Sequence, residues 1–179
     1  MISLVYAHPY PDRSRGNRTL LSRVRDLPGV SLRPIYDLYP DFGIDVELEQ
    51  AELVRSDVIV FQHPLYWYSV PGLLKHWLDK VLARGFAYGD GGRALVGKRC
   101  MWVITTGGEP AAYTEGASHA RAFSAYLPPL EQTARFCGMH WEPPLIIHGV
   151  HRISDDTLHE HADEYRRRLQ ALAGLRGAA

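Results

Sequence analysis

Five short apolar runs recur along this 179-residue chain, and helical patterns lie between them. The runs are Ile2–Ala7, Val30–Tyr36, Val58–Gln62, Met101–Thr105 and Pro144–His148. Because apolar and polar residues do not alternate in them, they are typical of parallel strands buried on both faces, although period alone does not separate them from buried helices. Repeated alternation of strand and helix predicts a doubly wound parallel sheet with helices on both sides.

The helical patterns begin at recognisable residues. Pro71 stands at the start of the clearest apolar stripe, and proline is favoured in the first turn of a helix. Asp45 and Ser154 mark two further helix starts. A short helix between the first two strands fits the flavodoxin-like variant, which binds its ligand at the carboxyl ends of the strands. We therefore expect a flavodoxin-like three-layer α/β sandwich with a five-stranded parallel sheet, formed as a single domain over residues 1–179.

Composition disfavours several classes of protein. Lysine and arginine total 20, as do aspartate and glutamate, so no net field draws the chain to nucleic acid. The first apolar run is too short for a signal peptide, and no run approaches the ~18 apolar residues of a spanning helix. Cys100 and Cys137 belong to no CxxC pattern, which favours two buried thiols in a reducing compartment. We expect a cytoplasmic protein with no nucleic-acid partner.

The first candidate site is the polar loop between the first strand and the first helix. His8 ends the strand, Ser14 and Asn17 offer a hydroxyl and an amide, and Gly16 permits close backbone approach. A strand, a polar loop and a helix N-terminus together place N–H groups around an anion. An ordinary turn with Ser14 as the helix N-cap explains the same residues, and the loop alone does not separate the two.

The second candidate site is the loop His63–Pro71, which carries three successive aromatic residues, Tyr66, Trp67 and Tyr68. Aromatic side chains at the exit of a buried strand are costly to leave in water unless something flat packs on them. A dimer contact, or a cover for the end of the sheet, is the alternative interpretation of this loop.

The third candidate site is Thr105-Thr106-Gly107-Gly108, with Tyr113 and His119 downstream. A glycine pair after a strand exposes backbone N–H groups that can bind the N1 and O2 edge of a flavin, where charge accumulates on reduction. Alone, the segment reads as a glycine turn with two polar surface residues. The convergence of all three loops on one sheet edge favours a mononucleotide with a flat redox-active ring, and FMN fits.

Other motifs carry no function. Gly92–Arg99 nearly matches a P-loop, but Arg99 replaces the magnesium-binding Ser/Thr and a strand follows where a helix is required. No GxGxxG is present, so we expect nicotinamide to be a visiting substrate. The histidines near the last strand and in the last helix suggest no metal site. The glycine-rich stretch Arg84–Arg93 predicts a surface loop, and the tail after Leu172 is expected to fray.

The loops, as they stand, resemble the flavodoxin-like NAD(P)H:quinone oxidoreductases. The matching motifs are Tyr6-Ala7-His8-Pro9, the Ser14–Asn17 loop, Gln62–Tyr68 and Thr105–Gly108. Within that family, a narrower resemblance is to the ancillary (Kef-type) oxidoreductase subunits of bacterial glutathione-regulated potassium-efflux systems. That second likeness rests on the segments Tyr36–Phe42, Trp77–Leu82 and Cys137–Trp141.

The resemblance implies a set of site residues and an assembly. The implied flavin-binding residues are His8, Ser14, Arg15, Gly16, Asn17, Leu65, Tyr66, Trp67, Tyr68, Thr105, Thr106, Gly107 and Gly108. Tyr113 and His119 stand at the spacing that mammalian-type members use to stabilise charge during hydride transfer. Glu109-Pro110 departs from the family pattern and stiffens the loop that carries Tyr113. A homodimer with the flavin near its interface is also implied.

Two functions follow from the resemblance. The first is an FMN-dependent NAD(P)H:quinone oxidoreductase that transfers two electrons as hydride in a ping-pong cycle. The second is an ancillary regulatory subunit on the cytoplasmic face of a potassium-efflux transporter, peripheral to the inner side of the membrane. In that role the flavin would be structural or act as a sensor. The two functions are compatible, and the alternative to an enzyme is a non-catalytic flavin-binding regulatory subunit. A flavodoxin-like electron carrier is disfavoured, because such carriers usually present a strongly acidic face.

Overall fold

The computed structural model describes residues 1–174, which contain one parallel sheet. Its strands are β1 (Ile2–Tyr6), β2 (Val30–Pro34), β3 (Val58–Pro64), β4 (Arg99–Thr105), β5 (His140–Trp141) and β6 (Leu145–Ile147). The spatial order is β2-β1-β3-β4-β5, and β6 also pairs with β4. This is the strand order of flavodoxin-like sheets, so the predicted fold class is confirmed. A single domain over residues 1–179 stays a prediction.

Helices cover both faces of the sheet. They are α1 (Arg15–Val24), the short α2 (Ile35–Leu38), α3 (Val46–Arg55), α4 (Gly72–Val81), α5 (Pro128–Phe136) and α6 (Asp155–Gly174). The helices α1 and α6 close one core, and α3, α4 and α5 close the other. The predicted caps are confirmed, since Asp45 accepts a hydrogen bond from the N–H of Leu48 at 3.0 Å and Ser154 accepts one from Thr157 at 3.1 Å. Pro71 occupies the N-cap of α4, one position before the expected first turn.

The second apolar run was predicted too long as a strand. Ile35 and Tyr36 turn into α2, and only Val30–Pro34 pairs with β1. The residues of β2 are also half-buried throughout, so the expectation of burial on both faces is wrong for this strand. The reason is its place at the sheet edge, where within residues 1–174 no further strand pairs with its outer side.

The fifth strand position is shared by two short strands. His140 and Trp141 pair with the start of β4, and Leu145–Ile147 pair with its end. Pro143 and Pro144 lie between them and have no N–H to donate to a ladder, which explains the interruption. The end of β6 therefore lies beside the end of β4, and the segment that follows reaches the same sheet edge as the third loop.

Four smaller predictions concern the two cysteines, the stretch Arg84–Arg93, membrane-spanning helices and the tail. Cys100 and Cys137 are buried free thiols, as predicted, and burial raises the pKa of Cys100 to about 12. The stretch Arg84–Arg93 is not wholly a surface loop, because Ala87 is buried in the core. Within residues 1–174 no helix has the length and hydropathy needed to cross a membrane. Ala173 and Gly174 belong to α6, and the rest of the tail lies outside the described residues.

A buried carboxylate links the elements around the core that α3, α4 and α5 close. Glu49 of α3 is 1% exposed and forms an ion pair with Arg33 of β2. It also accepts hydrogen bonds from the hydroxyl of Tyr39 at 2.6 Å and from the indole N–H of Trp77 at 3.0 Å. Each carboxylate oxygen is therefore satisfied, which is what makes a buried charge tolerable. The network joins β2, α3 and α4.

We expect Glu49→Gln to destabilise the protein by about 3–5 kcal/mol, because it leaves the Arg33 guanidinium without its counter-charge in a mostly buried place. Urea unfolding followed by circular dichroism measures the change. The control is Glu47→Gln, which removes an exposed carboxylate from the same helix and should leave the midpoint nearly unchanged. Equal midpoints for the two variants would contradict the assigned role of the network.

Candidate active site at the carboxyl edge of the sheet

The three predicted loops meet in a cleft at the carboxyl ends of β1, β3 and β4. Its lining residues are His8, Tyr10, Arg13, Ser14, Asn17, Pro64, Leu65, Tyr66, Thr105, Thr106, Gly107, Val150 and His151. The cavity volume is about 200 Å³. Ordinary ligand pockets hold roughly 300–1,000 Å³, so a ligand of nucleotide size would extend beyond this cleft.

The floor of the cleft is a buried amide network. The side-chain amide of Asn17 donates to the Thr105 hydroxyl at 2.8 Å, and the side-chain amide of Gln62 donates to the backbone carbonyl of Asn17 at 3.0 Å. These residues belong to α1, β4 and β3, and all three are buried. One N–H of the Asn17 amide is thus used to fasten the first loop to the third.

Ser14 is the N-cap of α1, as one of the two readings of the loop expected. Its hydroxyl oxygen accepts a hydrogen bond from the N–H of Asn17 at 3.2 Å. Since the hydroxyl proton is not used in that bond, the cap and a ligand contact are compatible. Gly16 has a packing role, because a Cβ there would lie 3.0 Å from the Cβ of Val150.

The Arg15 side chain is not brought into the cleft. Its guanidinium donates to the carbonyls of Val150 at 3.1 Å and Ile153 at 2.9 Å, and it pairs with Asp155 at 2.6 Å. These bonds fasten the segment after β6 to the start of α1. Any contact of Arg15 with a ligand in the cleft would therefore come from its backbone N–H.

His8 presents one N–H to the cleft. The residue is 8% exposed, and its Nδ1 accepts a hydrogen bond from the N–H of Tyr10 at 3.0 Å. An accepting Nδ1 places the ring proton on Nε2. Burial lowers the pKa of His8, which favours this neutral form. The residue is therefore a neutral hydrogen-bond donor at the end of β1.

The second loop is a tight and strained turn. Tyr66 and Ser69 exchange backbone hydrogen bonds at 3.0 and 2.9 Å, which places Trp67 and Tyr68 at its tip. Both have positive φ, 48° and 62°, a conformation that costs non-glycine residues about 1–3 kcal/mol each. Leu65 and Tyr66 line the cleft, whereas Trp67 projects beyond it and is 93% exposed.

The third loop carries a stacked pair of rings. The rings of Tyr113 and His119 are 4.3 Å apart and tilted by 15°. They lie directly over Gly108, where a Cβ would come within 2.7 Å of His119 Nε2 and 3.0 Å of the Tyr113 ring. Tyr68 reaches the same pair, with its hydroxyl 3.4 Å from His119 Nδ1. The structure thus brings the outer residues of the second and third loops together, beside the cleft.

The Glu109-Pro110 departure does not remove Tyr113 from this place. Pro110 begins a short 3₁₀ turn, and the N–H of Tyr113 donates to the Pro110 carbonyl at 3.1 Å. The turn directs the chain back over Gly108. Burial raises the pKa of the Tyr113 phenol, and a hydrogen bond with Thr106 opposes the rise. The phenol therefore keeps its proton, and remains a donor, at neutral pH.

Sequence reasoning missed several residues near the cleft. Arg13 and His151 line it directly. His148, one of the histidines near the last strand, bonds through Nδ1 to the Thr106 hydroxyl at 3.0 Å and lies 5.1 Å from the Tyr113 ring. The signal available was topological, since the segment after the last strand must reach the same sheet edge as the other loops.

The arrangement combines three chemical capacities. The first turn of α1 and His8 offer N–H groups to an anion. The edge from Thr105 to Gly108 offers the backbone N–H groups of its two glycines to a planar heterocycle. Tyr113 and His119 add a phenol and an imidazole beside that edge. A phosphorylated ligand with a flat polar ring matches all three.

Comparison with known proteins agrees with the fold and with these motifs. A family model described as having a flavodoxin-like fold matches residues 1–169. The chain is 49% identical over 169 residues to the glutathione-regulated potassium-efflux system ancillary protein KefF of Klebsiella pneumoniae (strain 342), covering 94% of each chain.

Solved structures are similar over nearly the whole length. General stress protein 14 of Treponema denticola, in complex with FMN, is 31% identical, with a TM-score of 0.89 and coverage of 96% of this chain and 98% of that one. An NADPH-quinone reductase from P. pentosaceus is 30% identical, with a TM-score of 0.85 and coverage of 94% and 96%. On these matches the chain belongs to the flavodoxin-like family, within which it is similar to the Kef ancillary proteins and to quinone reductases.

Proposed function

We propose that the chain is an FMN-dependent NAD(P)H:quinone oxidoreductase. The observation that carries the proposal is the junction of an anion-binding helix start, a glycine edge and the Tyr113–His119 pair at one end of the sheet. The FMN complex and the quinone reductase among its structural relatives support the same assignment.

The residues of the cleft fit a flavin mononucleotide. The backbone N–H of Asn17 donates to the Ser14 hydroxyl oxygen. The backbone N–H groups of Arg15 and Gly16 lie in the first turn of α1, where helices leave donors unpaired. Their geometry and dipole suit a phosphate. Gly107 has room beside it, since a Cβ there would meet only His151, at 3.4 Å. The part of the ligand that exceeds the cleft would extend towards Trp67 and Tyr68.

The residues divide the work along the ligand. His8 Nε2, the Ser14 hydroxyl and the first turn of α1 would hold the phosphate, while Leu65 and Tyr66 would bound the ring. When bound, FMN would supply two-electron hydride chemistry, so that one site would serve NAD(P)H and a quinone in turn. Backbone groups at Gly107 and Gly108, with the Tyr113 phenol, would hydrogen-bond the edge on which charge develops. His119, stacked on Tyr113, holds that phenol in place.

Anaerobic stopped-flow mixing tests the proposal. Protein loaded with FMN should lose its oxidised-flavin absorbance on mixing with NADPH or NADH, and a quinone added afterwards should restore it. Tyr113→Phe should slow the first phase by on the order of 10- to 100-fold, because it removes one donor from the charged edge. A flavin-loaded protein that keeps its oxidised spectrum with both nicotinamides would show that it is not this enzyme.

Gly108→Ala tests the position of the ring pair. The new Cβ requires His119 and Tyr113 to move, because it would lie 2.7 Å from one and 3.0 Å from the other. We expect FMN still to bind, while the rate of flavin reduction falls by roughly 10-fold or more. Gly72→Ala, at the open start of α4, is the matched control and should reduce at the wild-type rate. Equal rates for the two variants would refute the proposed role of the pair.

We also propose that the protein serves as an ancillary subunit of a potassium-efflux transporter. The likeness to KefF, at 49% identity over 94% of both chains, supports this proposal. Under this proposal the chain works at the cytoplasmic face of the membrane. The homodimer implied by the family would also give the exposed Trp67 a partner surface, and it remains a prediction.

Complementation tests the subunit role. Klebsiella pneumoniae cells lacking their own KefF should regain glutathione-regulated potassium efflux, followed with a potassium electrode, when this chain is supplied. Rescue by the wild type but not by Tyr113→Phe would tie regulation to catalysis. Rescue by both would favour a non-catalytic flavin-binding subunit. No rescue by either protein, when both are well expressed, would overturn the subunit proposal.

A further inference from the structure

Two arginines flank Ser14 at the start of α1, and they have different surroundings. Arg15 directs its guanidinium away from the cleft and bonds it to Asp155 and to two backbone carbonyls after β6. Those bonds occupy Nε and both terminal nitrogens. The Arg15 side chain therefore fastens the start of α1 to the segment between β6 and α6.

Arg13 has the opposite situation. It ends the 3₁₀ turn Pro11–Arg13, lines the cleft and is exposed. Within residues 1–174 its guanidinium makes no hydrogen bond or ion pair. Its five N–H donors and its positive charge suit a phosphate.

A second group in the same cleft also lacks a partner. His8 is 8% exposed, and its Nδ1 is taken by the N–H of Tyr10. No acceptor within the described chain bonds its Nε2–H, although buried polar groups are usually hydrogen-bonded. An acceptor from outside the chain, in the cleft that His8 lines, would satisfy it.

The charges of the cleft explain why an arginine is needed there. The neutral His8, the Ser14 hydroxyl and the backbone N–H groups donate hydrogen bonds but carry no full positive charge. A phosphate monoester near neutral pH carries about −1.5 to −2. Among the residues lining the cleft, Arg13 is the permanent cation.

We propose that the guanidinium of Arg13, and not that of Arg15, binds the phosphate of the flavin mononucleotide, while the guanidinium of Arg15 orders the segment between β6 and α6. This inference rests on the proposed function. It predicts that Arg13 distinguishes a phosphorylated flavin from an unphosphorylated one.

Binding of FMN and of riboflavin to the flavin-free protein, followed by quenching of flavin fluorescence, tests the inference. Arg13→Gln should raise the Kd for FMN by about 10-fold or more, the scale of a hydrogen bond to a charged group, and leave the Kd for riboflavin unchanged. Arg13→Lys should recover part of the loss. The wild-type FMN affinity should also depend more steeply on salt than that of Arg13→Gln.

Two further variants make the comparison specific. Arg25→Gln, at the other end of α1, should bind both flavins as the wild type does. Arg15→Gln should lower the melting temperature while preserving the wild-type ratio of FMN to riboflavin affinity. A ratio that falls in Arg15→Gln and not in Arg13→Gln would overturn the inference. Equal losses of FMN and riboflavin in Arg13→Gln would also overturn it, whereas a wild-type protein that binds neither flavin would refute the proposed function itself.

Discussion

The hydrogen bond from the Asn17 amide to the Thr105 hydroxyl is the contact on which the geometry of the cleft depends. It spans 2.8 Å between α1 and β4, and Gln62 of β3 bonds to the Asn17 carbonyl beside it. All three side chains are buried, so an unpaired member would carry a desolvation cost of about 1–3 kcal/mol. The first and third loops consequently keep a fixed distance across the end of the sheet.

Around that fixed floor the protein tolerates local strain beside the cleft. Trp67 and Tyr68 adopt positive φ without being glycine, and Trp67 lies in solvent. Strain of this kind persists only where the surrounding structure determines the conformation, and it is frequent at functional sites. Here β3 and α4 hold the two ends of the loop, and the satisfied carboxylate of Glu49 anchors α4 through Trp77. A stable core away from the cleft thus supports an unfavourable turn beside it.

Local signals were the most informative part of the sequence. The caps at Asp45 and Ser154 were predictable because a capping side chain bonds to an N–H three residues away. Errors arose where a distant neighbour decides the outcome. Ile35 belongs to an apolar run, yet it begins α2. The pairing of β2 with β1 ends at Pro34, because its partner Tyr6 is the last residue of β1. The division of the last strand follows from two prolines, whose effect depends on their place beside β4.

The groups that the three loops bring to the sheet edge could likewise be predicted from the chain alone, because residue type and proximity to a strand end set which groups can reach that edge. The direction of each side chain there could not. Arg15 and Arg13 are equivalent as letters, but Asp155, 140 positions along the chain, draws Arg15 away and leaves Arg13 at the cleft. His151 joins the site for the same reason, since packing of Val150 against Gly16 brings its segment to the cleft. Apolar patterns and caps act over a few residues, whereas the orientation of a charged group depends on partners that only folding brings near.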